Sequence, residues 1–198
     1  MTEVLILGGA GVLGQATLPH LAGHEVVATT RSLERLDAVR RLGATGAVCD
    51  VYDAEALAEL VAETRPEIVV SFLTDLAAGD LDANRRLRRE GGAHVVSAAV
   101  AGGARRLVVE SIAFAAGDDA VAALEQGALG SGLDAVVLRF GLFWGPGTWY
   151  GTPPLDGRPV IHVAQVGRLA ADLIFDAPPG VHEVVDEAPR EKEAIRDV

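Results

Sequence analysis

Gly8, Gly11 and Gly14 form a G-x-x-G-x-x-G run directly after the apolar residues Val4 to Leu7. Glycines in that pattern, where a strand passes into a helix, can hold a diphosphate. The first permits a tight turn. The second lets backbone N–H groups approach the ligand, and the third lets the helix lie close on the sheet. The N–H groups at the helix start, around Val12 and Leu13, are unpaired donors with a positive partial charge. Arg31 and Ser32 end a second apolar run, Ala28-Thr29-Thr30-Arg31-Ser32. A guanidinium and a hydroxyl there suit a phosphate, whereas a ribose hydroxyl is read by an acid at this place. Ser111 follows the run Arg106 to Glu110, and its hydroxyl could hold a carbonyl oxygen. Tyr150 is a phenol able to give a proton, in a loop with Trp144 and Trp149 as pocket walls or as cover for a core edge. His162 reads as structural. Asp75 and Glu110 are carboxylates at strand ends facing the same crevice.

The elements that must position these groups are legible in the hydrophobic pattern. Residues 4–7, 25–29, 46–49, 67–73, 106–110 and 134–140 are short, β-branched and apolar on both faces, as strands buried between helix layers should be. Helical patterns cover 12–21, 33–42, 54–64, 81–101 and 120–129 between them. A Gly- and Pro-rich loop, GPGTWYGTPPLDGRP, then leads to a strand at 159–163, a helix at 166–175 and a strand at 181–185. This alternation predicts an α/β fold of the Rossmann-like, doubly wound kind. Its parallel sheet has about seven strands in the order 3-2-1-4-5-6-7, with helices on both faces. One domain spans 1–198: a cofactor-binding core (1–140), a short substrate-side region (141–185) and a charged tail (186–198).

With 198 residues, 49% hydrophobic and 23% charged, the chain can bury a full core. Its formal net charge of −11 argues against nucleic-acid or anionic-membrane partners. One cysteine, Cys49, excludes an internal disulfide framework. The five histidines lack ligand spacing, so no metal is expected. No apolar run reaches the ~18 residues of a membrane helix, and the N-terminus lacks the pattern of a signal peptide. A cytoplasmic location is the expectation.

The motifs together resemble the short-chain dehydrogenase/reductase superfamily, in its extended and atypical branches with the NAD-dependent epimerase/dehydratase proteins. CDVYDAEAL resembles the segment that contacts adenine, which implies roles for Asp50 and Val51. RLVVESIAF resembles the strand that carries the catalytic serine, here Ser111. VVLRFGLFWGPG and VIHVAQVGRLAADLIF resemble the later motifs, the second around His162. The resemblance also implies that Phe72 and Leu73, at the end of the fourth strand, line the cofactor. Without an acid after the second strand, the implied cofactor is NADP(H) in preference to NAD(H).

The chain departs from the family where the chemistry is usually done. The superfamily uses a Tyr and a Lys four residues apart on a helix. Aligned through Glu125, their places fall near Gly117 and Val121. The usual Asn of the fourth helix falls at Arg88, with Asn84 one turn earlier. The expectation is an NADP(H)-dependent reductase of a small carbonyl or enone, with Ser111 polarising the acceptor and Tyr150 as a proton donor. The alternatives are a dinucleotide-binding sensor without turnover, or a non-redox isomerase, epimerase or cyclase. The short C-terminal region disfavours a bulky nucleotide sugar. The small residues of HVVSAAVAGGA and AVAALEQGALG suit helices packed across a homodimer axis.

Overall fold

The computed structural model describes residues 1–74, 80–115 and 117–186. Seven parallel strands make the main sheet: β1 (Glu3–Leu7), β2 (Glu25–Thr30), β3 (Thr45–Val48), β4 (Ile68–Ser71), β5 (Arg106–Ile112), β6 (Asp134–Phe140) and β9 (Gly180–Val184). Their order is β3-β2-β1-β4-β5-β6-β9. This is the Rossmann-like α/β arrangement that the alternation of runs predicts. Side chains leave each strand alternately to two faces, and on the central strands β1, β4, β5 and β6 both faces are mostly buried. Val4 and Ile6 enter a core with Leu13, Val166, Ala170 and Ile174. Leu5 and Leu7 enter a second core with Leu57, Val61, Val95 and Leu124. The helices of these layers are α1 (Val12–Thr17) and α7 (Val163–Asp176) on one side. On the other are α3 (Ala54–Thr64), α5 (Gly92–Ala101) and α6 (Asp119–Leu129).

One helix contact is unusually close. A Cβ at Gly167 of α7 would lie 2.1 Å from the carbonyl oxygen of Ala16. No side chain fits there, so α7 lies backbone against backbone on the helix that opens the glycine turn.

Four details differ from the sequence pattern. The expected helix at 81–101 is α4 (Leu81–Arg86) and α5 joined by a π-helical turn, Leu87–Gly91. Gly91 there packs on Leu87 and Val51, where a Cβ would come within 2.9 and 3.0 Å. The expected helix at 12–21 stops at Thr17 and continues as a 3-10 turn, Leu18–His20, around Pro19, which cannot donate to a helical ladder. The strand expected at 159–163 is not the seventh of the main sheet. It is β8 (Val160–His162), which pairs in parallel with β7 (Leu142–Trp144) as a separate ribbon, and β9 takes the seventh place. Finally, Asp186, the first residue of the charged tail, is tied to β8. Its N–H donates to Val160 O at 2.6 Å, and its carboxylate accepts from the N–H of His162 at 3.1 Å. The tail from 187 onward and Asp75 lie outside the described residues.

Candidate functional site

The loops after β1, β2, β4 and β5 open on one edge of the sheet, because the strands run in parallel and in register. Leu7 pairs with Ser71, and Ser71 with Val109. At the centre of that edge is the glycine turn, whose glycines have separate reasons to be there. Gly8 has φ +87°, and a Cβ would lie 2.5 Å from Phe72 O. A Cβ at Gly9 would lie 2.6 Å from Ala28 Cβ, and one at Gly14 would lie 2.6 Å from both Gly8 O and Gly9 Cα. These three are dictated by the fold. Gly11 is not. Its φ of −73° and ψ of 174° suit any residue. Its Cβ would meet only Gly8 O at 3.1 Å. Apart from that one tight contact with a backbone carbonyl, the protein places nothing near a Cβ at Gly11, which leaves room for a ligand to approach the backbone.

The turn is held firmly. Gly11 N–H donates to Gly8 O at 2.9 Å, and Gln15 N–H to Gly11 O at 2.9 Å. Gly8 N–H donates to Thr29 Oγ1 at 3.3 Å. Ala10 O accepts from Gln15 Nε2 at 2.8 Å and also from Arg35 Nη2. Val12 and Leu13 begin α1, where the first N–H groups have no intrahelical acceptor.

Around the turn, Arg31 is exposed and Ser32 half-buried at the end of β2. Ser32 N–H donates to Thr30 Oγ1 at 3.2 Å. Asp50 is exposed after β3, and its Oδ1 accepts from Tyr52 N–H at 3.0 Å. Val51 is buried, and its carbonyl bonds His94 Nδ1 at 2.8 Å. Phe72 turns its side chain into the core, so only its backbone reaches Gly8. Leu73 is half-buried beside it. The sequence pattern did not single out Gly9 or Arg35.

Ser111 is 0% exposed. Its hydroxyl donates to Glu125 Oε1 at 2.5 Å. Arg139 clamps the same carboxylate, Nε to Oε1 at 2.9 Å and Nη2 to Oε2 at 2.6 Å. Arg139, with a smaller contribution from Ser111, holds the Glu125 carboxyl below its ordinary range against the cost of burial. The Ser111 proton is therefore committed to an anion and does not point at a substrate. That differs from the carbonyl-holding role expected of it.

Above this cluster lies an open recess of about 420 Å³ lined by Ile112, Ala113, Gly117, Val121, Glu125 and Arg139, among others. Gly117 and Val121, the places of the family's Tyr and Lys, are part of its wall. Asp118 and Asp119 also border it, the first capping α6 through the N–H groups of Ala120 and Val121. Arg89 pairs with Asp119.

One buried acid lies just before Ser111. Glu110 sits beside Leu138 in register. Burial pushes its carboxyl up to about 7, against the attraction of Arg88. Arg88 is itself buried in the π-helical turn, and burial lowers its pKa. Asn84 is buried one turn earlier.

The loop between β7 and β8 is anchored beside the end of β5 through Arg158 and Phe114. Gly145 N–H donates to Tyr150 O at 2.8 Å. The Tyr150 hydroxyl accepts from Arg158 Nη2 at 3.4 Å. The Arg158 guanidinium also stands 5.6 Å over the ring of Phe114, which follows β5. Trp149 is 79% exposed. Trp144 meets the His162 ring edge-on at 4.3 Å. His162 caps α7 by accepting from Ala164 N–H at 3.2 Å, the structural place expected of it. Among the described residues, no group of His, Cys, Asp or Glu is placed to hold a metal, and no helix is long and apolar enough to cross a membrane.

A Rossmann-like sheet with an open glycine turn at its carboxyl edge defines a dinucleotide-binding protein. The chain matches the NAD(P)H-binding family over residues 8–143, and it belongs to that family. It is 38% identical to a 3-diazoavenalumate denitrifying reductase of a Streptomyces species, over 84% of this chain and 63% of that protein. The chain thus spans under two thirds of that relative. Its fold is shared with the Bordetella bronchiseptica enzyme WbmH in complex with NAD⁺, with a TM-score of 0.78 and 20% identity over 94% of this chain and 76% of that one. It is shared also with a UDP-glucose 4-epimerase of Thermotoga maritima, with a TM-score of 0.74 and 17% identity over 92% of this chain and 76% of that one. The space over Gly11 fits the diphosphate of such a cofactor.

Two outcomes follow from this geometry. Gly11→Ala should melt within a few degrees of the parent and weaken NADPH binding at least about tenfold by calorimetry. Gly14→Ala should instead lose about 1–3 kcal/mol or more of stability through overpacking. Equal melting losses in both variants would refute this division. For Glu110, the folded pKa lies above the unfolded value of about 4.3. The folded state holds the extra proton, so stability falls as pH rises from about 4.5 to about 7, by up to an order of 3 kcal/mol, and then levels. Melting curves of Glu110→Gln across that range should lack this fall; an unchanged slope would assign it to another group.

Proposed function

We propose that the chain is an NADPH-dependent reductase of a small, electron-poor acceptor whose reduction needs no proton from a phenol. The observation that carries this reading is the recess. Where the family places Tyr and Lys, Gly117 and Val121 leave open space, and Ser111 below spends its proton on Glu125. Reduction of a carbonyl or enone leaves an oxygen that must be protonated, and no donor faces the recess from α6. A diazonium acceptor has no such need. When bound, the cofactor supplies hydride; in net terms the carbon–nitrogen bond is exchanged for carbon–hydrogen, dinitrogen leaves, and the positive charge passes to the oxidised nicotinamide. The name of the Streptomyces relative, a denitrifying reductase of a diazo acid, supports this class.

The chain's own residues have plain tasks in this scheme. The turn around Gly11 holds the diphosphate. Arg31 and Ser32 favour a 2′-phosphate, which supports NADP(H) over NAD(H). Ile112, Ala113 and Val121 give the recess an apolar wall. The charged pair Glu125–Arg139 fixes the floor without entering the chemistry.

The direct test follows loss of the reduced-nicotinamide absorbance and release of dinitrogen with a diazo-hydroxycinnamate, beside a panel of aldehydes, ketones and enones. Turnover is expected with the diazo acid alone. Turnover of carbonyls would overturn the reading. Binding of NADPH and NADP⁺ with no turnover of either class would favour the sensor instead.

For assembly, we propose a homodimer built on the outer faces of α5 and α6. Val100 and Leu129 stand exposed there, among the small, uncharged Ala93, Ser97, Ala123 and Gly127. Light scattering should give twice the chain mass; a monomer would reject the proposal.

A further inference from the structure

We infer that Arg158 and Tyr150 form a site for the carboxylate of an acidic substrate, beside the recess; this deepens the reductase reading above and takes its substrate class from it. Both residues belong to the loop between β7 and β8. The Arg158 guanidinium stands 5.6 Å over the ring of Phe114, just past the end of β5. That is the carboxyl edge of the sheet, where open α/β folds bind their ligands. The neighbours of Phe114 on either side, Ala113 and Ala115, line the recess. The guanidinium is thus stacked on the same segment that walls the space for the acceptor.

The hydrogen bonds of this pair leave donors to spare. Arg158 Nε donates to Asp156 Oδ2 at 2.9 Å, and Nη2 donates to the same oxygen. Nη2 also donates to the Tyr150 hydroxyl at 3.4 Å. Among the described residues, Nη1 makes no hydrogen bond. The Tyr150 oxygen accepts in this pair, so its own proton remains to be given. An N–H edge with an O–H beside it is a donor set that a carboxylate takes.

The pair is also fixed before any ligand arrives. Asp156 holds the guanidinium from one edge. Thr148 Oγ1 donates to Gly145 O at 2.9 Å and to Tyr150 O at 2.8 Å, which pins the loop. Binding then orders little that is not already ordered. Arg139 borders the recess too, but the hydroxyl near it, Ser111, gives its proton to Glu125. In a chain of net charge −11, an anionic ligand needs a local cation, and Arg158 offers one with a free hydroxyl proton beside it.

The test is calorimetric titration of the full chain, with NADP⁺ present, using 4-hydroxycinnamate and its uncharged amide. The parent should bind the acid about tenfold more tightly than the amide. Arg158→Ala should remove that preference, with a far smaller change for the amide. Tyr150→Phe keeps the ring and should remove part of the preference. Arg158→Lys should recover part of what alanine loses, since a point charge attracts the carboxylate but lacks the fork. A parent without preference would overturn the inference. Equal weakening of both ligands in Arg158→Ala would mean that Arg158 only braces the loop, and would overturn it as well. So would a preference that survives Arg158→Ala and is lost in Arg139→Ala. The reductase reading is judged separately by dinitrogen release: an acid preference without that release would reject the reading and leave this site standing.

Discussion

A turn between β1 and α1 with almost no side chains sets the geometry of the whole functional edge. Gly8, Gly9 and Gly14 lie against one another and against Phe72 O and Ala28 Cβ, at separations that forbid a single methyl group. This contact fixes where α1 starts and how it lies on the sheet. The close seat of Gly167 on Ala16 then fixes α7 on α1. The result is a helix start held from three sides, with its first N–H groups facing outward over Gly11. Packing density, and not hydrogen bonding alone, is what fixes this helix start.

Away from the turn, the chain keeps the Rossmann-like frame, and the places of the expected Tyr and Lys hold Gly117 and Val121. Glu125 still bridges α6 to β5 and β6 through Ser111 and Arg139. That bridge stabilises the wall of the recess while removing its serine from service. The carboxylate is kept charged by Arg139, so the pair adds little net charge to the floor. Deeper in the fold, Arg88 stands where the resemblance places an Asn, and both Arg88 and Glu110 are buried ionisable groups. Burial works against the charged form of each, and their mutual attraction works for it. A site with this electrostatic balance differs from one that must protonate an alkoxide at every turnover.

Much of the fold was legible because its central strands are apolar on both faces, as the runs at 4–7, 67–73 and 134–140 show. The seventh place in the sheet was not legible. Val160–His162 and Gly180–Val184 are both short and apolar, and only the long-range pairing of Val160 with Leu142 and Asp186 separates them. The glycine motif pointed to the right turn and to separate tasks for Gly8, Gly11 and Gly14, whereas the close seat of Gly9 on Ala28 shows only in the fold. The bond from Ser111 to Glu125 was not legible because the partner lies fourteen residues away, on the next helix. The contact of Arg35 with Ala10 was hidden for the same reason. Local pattern reports burial well, and it reports polar partnerships poorly.

The central claim is that the backbone amides of residues 9–13 hold the diphosphate of the cofactor. Amide NMR during titration with NADPH tests this residue by residue. The account predicts the largest shifts at Gly9 to Leu13, saturating together with binding measured by calorimetry. Saturable NADPH binding that leaves these amides unmoved and perturbs another surface would contradict it.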